Sequence, residues 1–131
     1  MRKNKKIVDL VVDAASDKIL FSLIYKDKTY TNEHENCRKN FDKFSILLIN
    51  FLSKKQYSFK NVRNVLVNQG PGKYTSIRTS MATIKALRLV YGFDYYGFNN
   101  KDIADGDYVK ILRLFKQKKL IKNLIKPLYL S

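Results

Sequence analysis

The chain has no tryptophan, one cysteine, one histidine, two prolines and five glycines in 131 residues. A lone Cys37 excludes an internal disulfide and fits a reducing compartment. It also has no histidine placed beside it in a catalytic pattern, so a small, half-buried residue is the expectation. The single histidine, in Glu33-His34-Glu35, leaves a metal site short of side-chain ligands, and no H-x-x-x-H spacing occurs. Acid is scarce as well: 11 Asp and Glu stand against 26 Lys and Arg, a formal charge of +15. No apolar run approaches the roughly 18 residues of a membrane helix. The start, Met1-Arg2-Lys3-Asn4-Lys5-Lys6, leads into a short strand-like run without a small-residue cleavage site. The expectation is a cytoplasmic protein that does not engage membranes.

What is present is enough for a core. Hydrophobic residues make up 45% of the chain, too many for a disordered protein, and the length suits one domain. The positive charge invites a nucleic-acid reading, since lysines that meet phosphates release counterions. Against it, the chain is rich in Lys, Asn, Ile, Tyr and Phe, residues with A- and T-rich codons, and no RNA-binding motif with interleaved aromatics is recognisable. The most basic stretch runs from Tyr108 to Ile125 and holds no acid. Val109, Leu112, Phe115 and Leu120 allow an irregular amphipathic helix there, with Lys110, Arg113, Lys116, Lys118, Lys119 and Lys122 as candidate phosphate contacts.

Periodicity orders the rest. Ile7 to Val12 reads as a strand interrupted by Asp9. Lys18 to Tyr25 reads as a second, with a tight turn at Asp27-Lys28 and a third strand beginning at Thr29 to Thr31, so that two hairpins follow one another. Asp13, at the end of the first strand, reads as a turn cap. Phe41 to Leu52 reads as a helix: Phe41, Phe44, Leu47, Leu48, Phe51 and Leu52 cover a broad face that Ile46 and Ile49 widen. Val62 to Val67 has the β-branched, apolar character of a buried strand, and Phe93 to Phe98 that of a fifth, edge-like one.

The chain is organised around the junction after that fourth strand. Gly70-Pro71-Gly72 can reverse the backbone sharply, because proline fixes φ and the glycines reach angles closed to other residues. A long helix follows, with Thr75 or Ser76 as its expected cap. Ile77, Met81, Ile84, Leu87 and Tyr91 share one face, and Ala82, Ala86 and Leu89 form a second stripe on the opposite side. A helix apolar on two sides packs against two things, and the small residues at 82 and 86 suit the close approach of another helix.

The string GPGKYTSIRTSMATIKAL resembles the signature of the TsaB family, approximately G-P-G-S-F-T-G-L-R-x-G-L-A-x-A-K-G-L. Gly70, Pro71, Gly72, Thr75, Arg78, Ala82 and Lys85 match it directly, and Tyr74, Ile77 and Met81 are conservative replacements. Val12-Asp13-Ala14 resembles the family's I-D-T, Arg38 its helix arginine, and Pro127-Leu128-Tyr129-Leu130 its P-x-Y-L ending. The resemblance implies an α/β fold: a ribonuclease-H-like subdomain of the actin-like ATPase superfamily, with a mixed five-stranded sheet, strands four and five parallel to the first, and the second subdomain largely missing. On that basis residues 1–100 are the family's N-terminal domain and 101–131 a reduced basic extension.

It further implies a non-catalytic partner in forming threonylcarbamoyladenosine in tRNA, without a cofactor of its own. The transferase would be TsaD, which binds metal through a histidine pair that this chain does not have. TsaD would be met as a heterodimer through the two helices, with Phe41, Phe44, Leu48, Phe51, Ser76, Arg78, Thr79, Ala82, Lys85 and Ala86 as the expected interface. TsaE is a further partner to be considered, as is a homodimer of the isolated chain. The basic extension would reach tRNA within the complex. Two other classes stay open: a degenerate ATP-binding enzyme of the actin-like fold, and a basic RNA-binding module.

Overall fold

The protein is described by a computed structural model covering residues 6–26 and 28–99 and the backbone of 121–122. The element order is β1 (Val8–Asp13), β2 (Lys18–Tyr25), β3 (Lys28–Glu35), α1 (Arg38–Phe41), α2 (Phe44–Lys54), a 3-10 turn (Phe59–Asn61), β4 (Val62–Asn68), α3 (Tyr74–Tyr91), β5 (Asp94–Phe98) and β6 (Ile121–Lys122). The sheet runs β3-β2-β1-β4-β5-β6. β1 to β3 form two successive antiparallel hairpins, whereas β4 lies parallel to β1 and β5 parallel to β4. This is the mixed α/β sheet that the resemblance implies.

Strand alternation assigns every side chain to one of two faces. On one face Val8, Leu10 and Val12 of β1, Ile19, Phe21 and Leu23 of β2, Val65 and Val67 of β4, and Tyr95 of β5 join a single core. α2 and α3 lie over it and contribute Phe44, Leu48, Phe51 and Leu52 from the first and Ile77, Met81 and Ile84 from the second. Phe21 stands under α2, with ring centroids 5.5 Å from Phe44 and 5.8 Å from Phe51. Each such side chain contributes about 1.5–3 kcal/mol on leaving water, so this face supplies most of the stability.

The other face is also buried but mixed. Val11, Leu66 and Phe98 share it with Asp9, Asp13, Ser22, Asn64 and Asn68. Buried polar groups need partners, and here they find them across neighbouring strands. Asn64 Nδ2 donates to Asp9 Oδ1 at 3.0 Å and Asn68 Nδ2 to Asp13 Oδ1 at 3.1 Å, while the Ser22 and Thr31 hydroxyls lie 2.9 Å apart. Asp9, a break in the apolar pattern of its strand, is held within that strand by Asn64 and by Arg63 at 3.4 Å.

Three expectations need correction. The helix expected over Phe41 to Leu52 is broken at Asp42-Lys43 into α1 and α2. β5 is not the edge of the sheet, because Ile121-Lys122 pairs antiparallel with Gly97 and Tyr96. The same pairing replaces helix with strand at those two positions of the basic extension. A backbone that leaves the unpaired edge of β5 without partners forfeits hydrogen bonds, and two residues suffice to supply some of them. The rest of the extension, including the Pro127-Leu128-Tyr129-Leu130 ending, lies outside the described residues.

Candidate functional site

The junction after β4 is held by local hydrogen bonds. Asn68 Oδ1 accepts from the Gly70 amide at 2.8 Å while its Nδ2 reaches Asp13. Asp13 Oδ1 also accepts from the Ala15 amide at 3.1 Å, which is the turn-capping role expected of it. Gly70 has φ 102°, in the region that favours glycine. Gly72 is required for another reason: a Cβ there would lie 2.1 Å from the Ala15 carbonyl oxygen. The Lys73 amide donates to that same oxygen at 3.1 Å. The glycine-proline-glycine turn is therefore seated directly on the β1–β2 turn, which sets where α3 starts.

α3 begins at Tyr74 with Lys73 as its N-cap and no side-chain cap, so neither Thr75 nor Ser76 caps it. Ser76 is instead 1% exposed. Its hydroxyl donates to the Ala14 carbonyl at 2.7 Å and accepts from Asn36 Nδ2 at 3.0 Å. Asn36 Nδ2 lies equally close to the Ala14 carbonyl, at 3.0 Å, and closer to that of Ser16, at 2.6 Å. One buried amide thus ties the end of β3, the β1–β2 turn and α3 together. Nothing in the sequence marked Asn36, because its partners are two backbone carbonyls and a serine distant in the chain.

The helix surface sorts the expected interface residues into two groups. Phe44, Leu48 and Phe51 are buried against the chain's own sheet and Phe41 is half-buried; Ser76 is buried too. The apolar excess expected from these residues is therefore consumed by the core, since the largest side chains of α2 gain most by covering β1 and β2. Ala82, Ala86 and Arg78 are exposed, and Thr79 and Lys85 partly so. The uncovered apolar residues are different ones: Ile46 at 57% and Ile49 at 48% on α2, and Leu89 at 84% and Val90 at 74% on α3. With Ala82 and Ala86 they are exposed apolar positions on the outer sides of two neighbouring helices. Beside Ile49 a groove of about 190 Å³ is lined by Leu52, Ser53, Tyr57, Ser58, Phe59 and Tyr91, with the Phe59 and Tyr91 rings stacked at 5.5 Å.

Arg78 and Lys85 stand on the same helix as Ala82 and Ala86. Arg78 Nη1 donates to the Tyr74 hydroxyl at 2.6 Å, which pins the guanidinium to its own helix. His34 lies on β3 opposite Ile19. Burial, then the nearby Lys54 and Lys43 ammonium groups, hold its imidazole below the ordinary value of 6.5. Cys37 is half-buried. Among the described residues no three His, Cys, Asp or Glu side chains gather where they could hold a metal ion. No described helix is long and apolar enough to cross a membrane. Lys110, Arg113, Lys116, Lys118 and Lys119 lie outside the described residues, and Lys122 is placed only as a backbone partner of Tyr96.

No protein-family profile matches the chain. It is 26% identical over 113 residues to the tRNA threonylcarbamoyladenosine biosynthesis protein TsaB of Buchnera aphidicola subsp. Schizaphis graminum, covering 86% of this chain and 52% of that protein. The chain thus spans about half the length of the curated relative it matches. Among solved structures, YeaZ from Pseudomonas aeruginosa superposes with a TM-score of 0.68 at 12% identity, over 86% of this chain and 50% of that one. RuvC of T. thermophilus, solved with a Holliday junction substrate, gives a TM-score of 0.52 at 9% identity over 92% of this chain and 84% of that one. At such identities the structural likenesses speak for the fold alone.

Proposed function

We propose that this chain, which its sequence match to TsaB and its YeaZ-like fold align with the TsaB family in a partial-length form, is a cytoplasmic, non-catalytic subunit of the machinery that makes threonylcarbamoyladenosine in tRNA. Its role is to bind and support the catalytic paralogue TsaD. The observation that carries this reading is the set of exposed apolar positions on α2 and α3. Ile46, Ile49, Leu89 and Val90 are exposed along with small Ala82 and Ala86, a surface suited to the close approach of partner helices and costly to leave wet. No chemistry is asked of such a subunit. TsaE and a second copy of the chain compete for or extend the same surface, and tRNA is met through the complex.

The test is co-elution of the purified chain with TsaD from the same genome. Ala82→Trp and Ile46→Asp both act on exposed positions and leave the core intact, as circular dichroism would verify. Loss of co-elution by both folded variants is expected; retention of wild-type affinity by both overturns the proposal. Leu48→Asp is unsuitable for this purpose, because Leu48 is fully buried and the variant would report on folding.

A further inference from the structure

Among the described residues β3 is the end strand of the sheet, unpaired on its outer side. It has eight residues, stands at the end of the strand order, and among the described residues pairs with β2 alone. Natural edges are commonly blunted by shortness, proline, bulges or lysine. β3 has none of the first three: its register with β2 runs unbroken from Lys18 opposite Glu35 to Tyr25 opposite Lys28, and its only lysine is at its start.

The register also fixes which side chains would meet an added strand. Tyr30, Asn32 and His34 oppose Leu23, Phe21 and Ile19 and so share the helix-covered face. Thr29, Thr31, Glu33 and Glu35 are on the other face and are all exposed. That face is acidic on a chain whose formal charge is +15. Lys18 stands opposite Glu35 on the inner side, and the outer side is open among the described residues. Asn32, midway along the strand, has a buried Oδ1 without a donor among the described residues.

From this we infer that the β3 edge is a docking site for an extended segment of another polypeptide, added as a further antiparallel strand, with basic residues opposite Glu33 and Glu35 and β-branched or hydroxyl residues opposite Thr31 and Thr29. Main-chain hydrogen bonds supply attachment, and cross-strand pairs supply selectivity. A second copy of this chain fits less well. Paired antiparallel through its own β3, residues of one face meet residues of the same face, so Glu33 and Glu35 would meet only threonine or glutamate. The partner must bring the cations.

The probe is a labelled peptide, acetyl-Lys-Val-Lys-Thr-Thr-Val-Thr-amide, titrated with the full chain by fluorescence anisotropy at low salt. Two N-methylated versions carry the methyl on alternate residues. Only one set of amides can face β3, so one version should lose binding by at least about tenfold and the other should keep it. Glu33→Lys with Glu35→Lys, both on exposed positions, should weaken the basic peptide by about tenfold and favour a counterpart with Glu in place of Lys. The inference is overturned if the parent peptide does not bind, if both methylated versions bind alike, or if charge reversal changes nothing. A dimer of the chain dissolved by the same charge reversal would also overturn it, in favour of a second copy.

Discussion

α2 and α3 lie side by side on one face of the same sheet, and both read from sequence as helices with surplus apolar surface, yet they dispose of it in opposite ways. α2 turns its phenylalanines and Leu48 inward and leaves Ile46 and Ile49 outside; α3 buries Ile77, Met81 and Ile84 and leaves Ala82, Ala86, Leu89 and Val90 outside. The width of an apolar face says only that more than one surface will be covered. Which part faces the sheet depends on the helix's rotation, and that is set by its anchors: Phe21 packs beneath α2, and Ser76 with Asn36 holds the first turn of α3.

The sharpest way to break this contrast is Leu48→Ala. If Leu48 is core, the variant should lose about 2–5 kcal/mol in urea unfolding; a loss below about 0.5 kcal/mol would place it on the surface. Gly72→Ala comes next. Its Cβ would collide with a backbone oxygen of the β1–β2 turn, so about 1–3 kcal/mol of destabilisation is expected, and an unchanged midpoint would mean that the glycine-proline-glycine turn does not rest on Ala15.

Acidification should produce a smaller effect. The imidazole of His34 binds its proton more weakly in the folded chain than the ordinary value of 6.5. The unfolded state therefore takes up the proton first. Stability is full above about 6.5, falls as pH drops below it, and levels off once the folded imidazole is also protonated. His34→Gln should flatten that part of the stability profile, and an identical profile in the variant would remove His34 as its source. The smallest effect is expected for Leu89→Ala. At 84% exposure it should change the stability of the isolated chain by no more than about 0.5 kcal/mol, so a drop of core size would show that α3 is rotated to turn Leu89 toward the sheet.

Much of the fold was legible in the residues. β2 spans Lys18–Tyr25 as expected, and β1, β4 and β5 fall within a residue or so of their apolar runs, because a strand buried on both faces shows in the local sequence as a short continuous apolar run. The junction was legible for a similar reason, since Gly70-Pro71-Gly72 states its backbone needs in its own composition. The candidate surface was only half legible. Ala82 and Ala86 do face outward, but Phe44, Leu48, Phe51 and Ser76 do not, and a helical wheel has no means of telling a core face from a docking face when both are apolar.

By itself, then, the sequence determined the order and kind of the main elements, the sharp turn before α3, the excess of positive charge and a family resemblance carried by one continuous motif. Tertiary structure alone decided the rest. Asn36 became the tie between three segments, Asp9 and Asp13 found their amide partners on β4, Ile121-Lys122 joined the sheet beyond β5, and β3 became the end strand among the described residues. Each of these depends on groups distant in the chain being brought within hydrogen-bond reach, and no local pattern encodes a distance between residues that meet only when the sheet has formed.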